Sequence, residues 1–387
     1  MQSSSLCLQD FLSSMGSQSH NTFRGYSVRL KRFETFVIQI YNTDLDQLVK
    51  KLQNKETDVY QVLSSYNVAL SKEDLSSVTR LQLISAAKNF LLYNDIDISD
   101  YKFRIKVRMP KSTKEQKAAL DKADIQKIIL GCSSIRLKTF VMLLAATGMR
   151  ASEALSIRFK DIDFSSRPAR IHLQAEVTKT REGRTVYLTD EIVYQLKTFF
   201  EYRQRPRRIV KVNKYGKSFA ATVIPPIKPG DRIFAMRNQI KVDNNTALYV
   251  HLVRQFELTL DRIGFSERED NNRRRKITLH SFRRFVKSTI SDLGYQDYSE
   301  WFIGHSGSTY YRKKDSEKAE LFRKIEPYLT FLDYSELEAR GADVVTKLQE
   351  KDKQIEALTK KQEQFEHLIQ SLIDSGQLQP SMNRINK

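Results

Sequence analysis

From Thr22 to Tyr41 the apolar residues Tyr26, Leu30, Phe33, Val37 and Ile40 recur every three or four positions, the interval that lines one side of an α-helix. Arg24, Arg29, Lys31 and Arg32 fall between them, so the predicted helix has a basic side. Two more helices are predicted, over Asp58 to Leu70 and over Lys72 to Tyr93, the latter with Leu75, Val78, Leu81 and Ile84 facing inward. The run Asp95-Ile-Asp-Ile-Ser-Asp100 closes this region, and residues 1–100 read as one helical domain. Residues 101–118 are rich in lysine and arginine, are broken by Pro110 and keep no period, which predicts a basic linker.

Residues 119–335 carry a second set of patterns. Asp121 can cap a short helix holding Ile125, Ile128 and Ile129, and a strongly apolar helix follows from Leu137 to Ala146. Gly148 ends it and leaves Arg150 at the start of the next helix. Arg170 to Gln174 and Arg184 to Leu188 read as two strands of a β-hairpin. Helices are predicted over Glu191 to Gln204, over Thr246 to Ile263 with Gly264 behind it, and over His280 to Leu293 with Gly294 behind it; Glu317 to Leu332 forms a further one. The basic stretch from Arg203 to Lys228 has no readable motif and is expected as a loop. The whole reads as mainly α with a small antiparallel β-sheet, an α+β fold in two domains.

The segment 336–378 differs. Val344, Leu348, Ile355, Leu358, Phe365, Ile369 and Leu372 alternate four and three steps, with Lys351 and Gln362 in the remaining seam positions. Such a heptad pattern predicts a C-terminal coiled-coil helix and self-association through it.

At 387 residues the chain is long enough for two or three domains. Hydrophobic residues make up 40%, as in a globular protein. Lysine and arginine outnumber acids 65 to 46, a formal charge of +19. The excess is clustered, in Arg205-Pro-Arg207-Arg208 and in Arg273-Arg274-Arg275-Lys276 just ahead of His280. Clustered positive charge points to a polyanion, and double-stranded DNA is the expected partner. No apolar run is long enough to span a membrane and no secretory leader pattern opens the chain, so a cytoplasmic location without a membrane partner is expected. Cys7 and Cys132 stand alone, which predicts neither a disulfide framework nor a metal site.

The candidate chemistry lies in a spaced set. Arg150 stands in Thr147-Gly-Met-Arg-Ala-Ser-Glu153; His280-Ser-Phe-Arg283 comes later, then Gly304-His305 and the pair Tyr310-Tyr311. Two guanidiniums can fork onto the non-bridging oxygens of a phosphodiester, and two imidazoles can accept hydrogen bonds or protons. His280 lies one helical turn before Arg283 and so shares its face, as an acceptor for a nucleophile's proton. A phenol can be that nucleophile once its proton is removed. With 17 tyrosines in the chain, position after Gly304-His305 is what singles out Tyr310 and Tyr311.

These residues resemble the tyrosine recombinase, or phage integrase, family. Thr147 to Glu153 looks like the family's first box, His280 to Arg283 like its second, and Ile303-Gly-His305 like the segment before its nucleophile. The run Thr178-Lys-Thr-Arg-Glu-Gly-Arg-Thr-Val-Tyr-Leu188 is similar, without a gap, to the family's Gly-Lys-Gly-x-Lys-Glu-Arg-x-Val-Pro-Leu hairpin. The resemblance implies that Lys179 is the general acid toward the leaving 5′ hydroxyl and that Glu153 supports Arg150. It implies strand exchange through a 3′-phosphotyrosyl link, with no metal, nucleotide or other cofactor, by a homotetramer whose two domains clamp DNA. The expected activity is site-specific recombination that integrates or excises a mobile element. Strand relaxation of the type IB topoisomerase kind and a non-catalytic DNA-binding role are the alternatives. One departure concerns the nucleophile: the family places it about nine residues after the Gly-His histidine, whereas Tyr310 and Tyr311 follow His305 by five and six. Tyr310-Tyr-Arg312 fits a Tyr-x-Arg ending seen in archaeal-type integrases, which favours Tyr310, with Tyr311 as runner-up.

Overall fold

A computed structural model describes residues 5–111, 119–212, 218–224, 226–235, 245–268, 274–305 and 311–332. The chain divides into two compact units between residues 117 and 118.

The first unit is helical: α1 (Leu6–Gln18), α2 (His20–Tyr41), α3 (Leu45–Gln53), α4 (Val59–Ser71), α5 (Ser77–Tyr93) and α6 (Asp100–Lys106). Leu30, Phe33 and Val37 are fully buried, as the period of α2 predicts, and pack with Leu48, Leu63, Tyr66 and Phe90. Ile40 is exposed instead, lying at the last turn of α2. The helices start where short polar side chains can accept an otherwise unpaired backbone N–H: Asp44 from Gln47, Asp58 from Tyr60, Ser76 from Thr79. Each such cap stabilises by about 1 kcal/mol.

Two expectations change here. The inward face of α5 is Leu83, Ile84, Ala87, Phe90 and Leu91, while Val78 is exposed, because the helix begins at Ser77 and its first turn lies outside the core. The expected linker begins too early: α6 occupies 100–106, Ser99 caps it, and Phe103 and Val107 are buried in the first core. One of its positive residues is matched, Lys106 lying 2.9 Å from Asp58. A charged stretch without a period can still dock by two apolar side chains.

The second unit comprises α7 (Lys122–Gly131), α8 (Ile135–Thr147), α9 (Ala151–Ser156), β1 (Ile162–Asp163), β2 (Arg170–Leu173), β3 (Arg184–Tyr187), α10 (Asp190–Gln204), β4 (Arg207–Val212), β5 (Ser218–Val223), α11 (Asn245–Arg262), α12 (Leu279–Asp292), α13 (Gln296–Ile303) and α14 (Asp315–Ile325). Helix α8 is its centre: every residue from Thr139 to Thr147 is buried, and the helix packs against α10 and α12. Burying each large apolar side chain there contributes about 1.5–3 kcal/mol. Asp121 and Asp124 form a capping box on α7, and Ser134 caps α8.

Strands β1, β2 and β3 form an antiparallel sheet in that order. Arg170 pairs with Tyr187 and Leu173 with Arg184, so β2 and β3 are the two arms of the predicted hairpin. Ile171 and Leu173 face the core and His172 faces out, the alternation a strand with one buried face requires. The stretch expected as a loop holds β4 and β5, a separate antiparallel pair running from Arg207 opposite Val223 to Val212 opposite Ser218. The heptad segment 344–372 lies outside the described residues. Among those residues no helix is long and apolar enough to cross a membrane.

Candidate active site

Gly148 begins the construction. It ends α8 with φ +62°, and a Cβ there would meet Val286 and Ile303 at 3.0–3.1 Å, so only glycine fits both the backbone and the space. The chain reverses and Arg150 becomes the residue preceding α9. Glu153, one turn on, is fully buried. One of its oxygens accepts from the Arg150 backbone N–H at 2.9 Å and the other from the Arg150 guanidinium at 2.7 Å.

A second guanidinium completes that cluster. Arg184, first residue of β3, forks onto the same carboxylate at 3.2 and 2.8 Å and is itself nearly buried. Burial alone would raise the Glu153 pKa; the hydrogen bond and charge of Arg184, then those of Arg150, outweigh it and hold the carboxyl below its ordinary value. Glu153 is therefore an anion at neutral pH, held between two arginines. The sequence pattern singled out Glu153 and Arg150 but not Arg184, although Arg184 occupies the arginine position of the hairpin pattern.

Arg283 reaches the same place from α12. Its Nη1 donates to the Gly148 carbonyl at 2.9 Å, while its Nη2 is buried with no hydrogen-bond partner among the described residues. Burial, then the neighbouring Arg150, pull its pKa down to about 10, which leaves it cationic at neutral pH. The structure thus brings Arg150 and Arg283 together, two residues and one carbonyl apart. His280 sits in the first turn of the same helix, exposed.

The third approach comes from α13. Gly304 ends it with φ +68°, and the Arg184 guanidinium lies where a Cβ on Gly304 would be, 2.6 Å from that position. His305 follows, half-exposed, with Nδ1 2.7 Å from Glu300 Oε2; the other carboxylate oxygen of Glu300 is 2.5 Å from Lys287 Nζ. Glu300 and Lys287 were not singled out by sequence: a spacing of five residues across a helix end has no pattern signature.

Lys179 lies in the turn between β2 and β3 and is exposed. Tyr310 lies outside the described residues. Tyr311 is half-buried in an aromatic cluster, its ring 5.9 Å from Tyr298 and 6.0 Å from Trp301. Burial, then the carboxylates of Asp297 and Glu317, raise its pKa, the wrong direction for a phenol that must lose its proton. Tyr298 and Trp301 are packing residues, the Tyr298 hydroxyl donating to the Lys318 carbonyl.

The basic residues expected to meet DNA divide. Arg24 and Lys31 are exposed on α2, but Arg29 donates to Gln82 and Arg32 pairs with Glu73 at 2.6 Å. Arg205 lies over the Tyr202 ring at 3.5 Å, and Arg207 and Arg208 open β4. Arg274 is exposed, whereas Arg275 forks onto Asp261 at 2.8 Å with little exposure and Lys276 pairs with Glu267 at 2.9 Å. Carboxylates on neighbouring segments thus lie against Arg275 and Lys276. Arg273 lies outside the described residues.

Arg150 and Arg184 meet at one buried carboxylate, Arg283 bonds the carbonyl of the turn just ahead of Arg150, and the phage integrase family model matches residues 113–289. The 387-residue chain has a little under half of its length in the matched stretch. It is 25% identical over 259 residues to "Tyrosine recombinase XerA" of Saccharolobus solfataricus, covering 60% of this chain and 83% of that protein. It is 24% identical over 256 residues to a tyrosine recombinase of Thermosipho africanus, covering 64% and 84%. Among solved structures the fold is similar to a λ integrase tetramer bound to a Holliday junction, with TM-score 0.53, 13% identity and coverage of 80% of this chain and 79% of that one. The family match ends before His305 and the tyrosine pair, the part where the sequence departs from the family spacing.

Proposed function

We propose that this recombinase cuts and rejoins double-stranded DNA with Tyr310 as nucleophile, and that it integrates or excises a mobile element. The observation that carries the reading is the convergence of Arg150 and Arg283 on the Gly148 turn, with a buried, unpartnered Arg283 Nη2 beside them. A donor in that state suits a non-bridging phosphate oxygen, and two guanidiniums would neutralise charge as it develops on the phosphorus. Around that position Arg150, Arg184, Arg283 and Lys287 face the carboxylates Glu153 and Glu300. Four cations against two anions leave an excess of two positive charges, the charge of a phosphodiester under attack by a phenolate.

In this mechanism the phenol oxygen bonds to phosphorus as the bond to the 5′ oxygen breaks. The phenol proton goes to His280, and Lys179 protonates the departing 5′ oxygen to give a free 5′ hydroxyl. His305 hydrogen-bonds the phosphate. The phosphotyrosyl link keeps the energy of the broken bond, so a 5′ hydroxyl from another strand reverses the step without a cofactor. The packing and raised pKa of Tyr311 favour Tyr310. We further propose that the two units clamp the duplex, that Arg24, Lys31, Arg205, Arg208 and Arg274 contact its phosphates, and that the active assembly is a homotetramer with the heptad segment as an added contact.

The test is a nicked suicide duplex carrying the element's own attachment sequence, resolved on a denaturing gel. Wild type and Tyr311→Phe are expected to form a covalent adduct and Tyr310→Phe none. The reverse pattern transfers the role to Tyr311, and no adduct from wild type overturns the reading.

A further inference from the structure

We infer that Glu300 is a positioning residue that fixes the tautomer and direction of His305, with Lys287 holding Glu300 in place. The inference rests on the proposed role of His305 at the phosphate. Glu300 lies on the last turn and a half of α13, and His305 follows the Gly304 turn. One hydrogen bond and one close contact tie them: the His305 backbone N–H donates to the Glu300 carbonyl at 2.9 Å, and Nδ1 lies 2.7 Å from Glu300 Oε2, an oxygen with no hydrogen-bond partner among the described residues. That oxygen is shielded from water. A buried carboxylate oxygen left without a donor costs about 1–3 kcal/mol or more. The proton that meets this demand is one on Nδ1, so Nε2 is the nitrogen turned outward, as acceptor in the neutral ring and as donor in the charged one.

Lys287 supplies the other constraint. It lies four residues after Arg283 on α12, on the face that carries Arg283 toward Gly148, and its ammonium takes Glu300 Oε1 at 2.5 Å. The carboxylate is thus pinned by both oxygens, one to α12 and one to the imidazole. Arg283 also feels the Glu300 charge, and the Arg184 guanidinium abuts the Gly304 turn that precedes His305. A surface ion pair as exposed as Lys287–Glu300 is worth about 0–1 kcal/mol, too little for stability to be its main effect. Removing the carboxylate or carbonyl behind a metal-ligating histidine typically costs about 10–100-fold, and a loss of the same order is expected for an imidazole that must face a phosphate.

The test uses the full chain in two independent measurements. In ¹⁵N-histidine spectra of the free protein, wild type is expected to show the Nδ1–H tautomer for His305, and Glu300→Ala to shift it toward Nε2–H. In single-turnover cleavage of the suicide duplex, Glu300→Ala is expected to be about 10–100-fold slower, with unchanged duplex affinity. Glu300→Gln is expected to recover much of that loss, since its amide oxygen still accepts from Nδ1–H, and Lys287→Met to show a smaller loss than Glu300→Ala. An Nε2–H tautomer in wild type, or Glu300→Ala cleaving as fast as wild type, overturns the inference. Should Glu300→Ala fail to fold, the wild-type tautomer and the Glu300→Gln rate decide. If wild type forms no adduct at all, the reading of the enzyme fails while the tautomer still reports on Glu300.

Discussion

Glu153 and Glu300 are both carboxylates held between cationic side chains, and their settings are opposite. Glu153 has no exposed side-chain surface and takes hydrogen bonds from two guanidiniums and a backbone N–H. Glu300 lies at the rim, its lysine and histidine partners largely open to water. Taking charge out of water is costly, so the buried anion is tolerable only while its partners remain; the rim anion keeps one oxygen in water and has only the other to satisfy. One therefore governs whether the arginines stand where they do, and the other how a single imidazole is presented.

The sharpest way to break the comparison is Glu153→Gln, which leaves two crowded guanidiniums without their anion. It is expected to cost about 3–5 kcal/mol of stability by urea denaturation at neutral pH. The pH dependence follows from the sign of the shift. The folded pKa of Glu153 lies below the unfolded value, so its stabilisation is present above that unfolded value, about 4.3, and is lost as pH falls through the folded one. The gap between wild type and Glu153→Gln should narrow with acidification, and a constant gap would show that charge is not the cause.

Next comes Arg283→Lys, which keeps the charge but loses the fork and the second donor. Adduct formation is expected to fall by a factor on the order of 10²–10³ in single-turnover assays. Gly304→Ala follows, at about 1–3 kcal/mol, because an L side chain at φ +68° is strained and its Cβ would displace the Arg184 guanidinium. Differential scanning calorimetry reads that loss, and Arg184→Ala in the same background should make the two costs non-additive. The smallest effect is expected at the rim: Lys179→Ala should change stability by less than about 0.5 kcal/mol while slowing cleavage, and a large melting shift would place that lysine in the fold's support.

Much of this was legible in the sequence where one physical signal dominated. The period of α2, the Asp121 cap, the unbroken apolar run of α8 and the Gly148 stop each led to the right element. Arg150, Glu153 and Arg283 were readable because the chemistry of a phosphodiester needs them at fixed places along two helices. Arg184 and Glu300 were not, since each acts through a partner brought near by the fold: Glu153 is 31 positions from Arg184, and Lys287 joins Glu300 from another helix. Helix α6 was hidden under its positive charge, and β4 and β5 because each is only six residues long and neither alternates apolar with polar positions.

The bond from Arg283 to the Gly148 carbonyl spans 135 positions. A ribosome adding about 5–20 residues per second takes on the order of ten seconds to cross that interval. Throughout it the first arginine and its carboxylate exist without the second arginine, and the helix that ends in Gly304 is still to come. The nascent chain therefore has no assembled arginine cluster until Arg283 has been added, so a product that stops short of that residue lacks the convergence on the Gly148 turn.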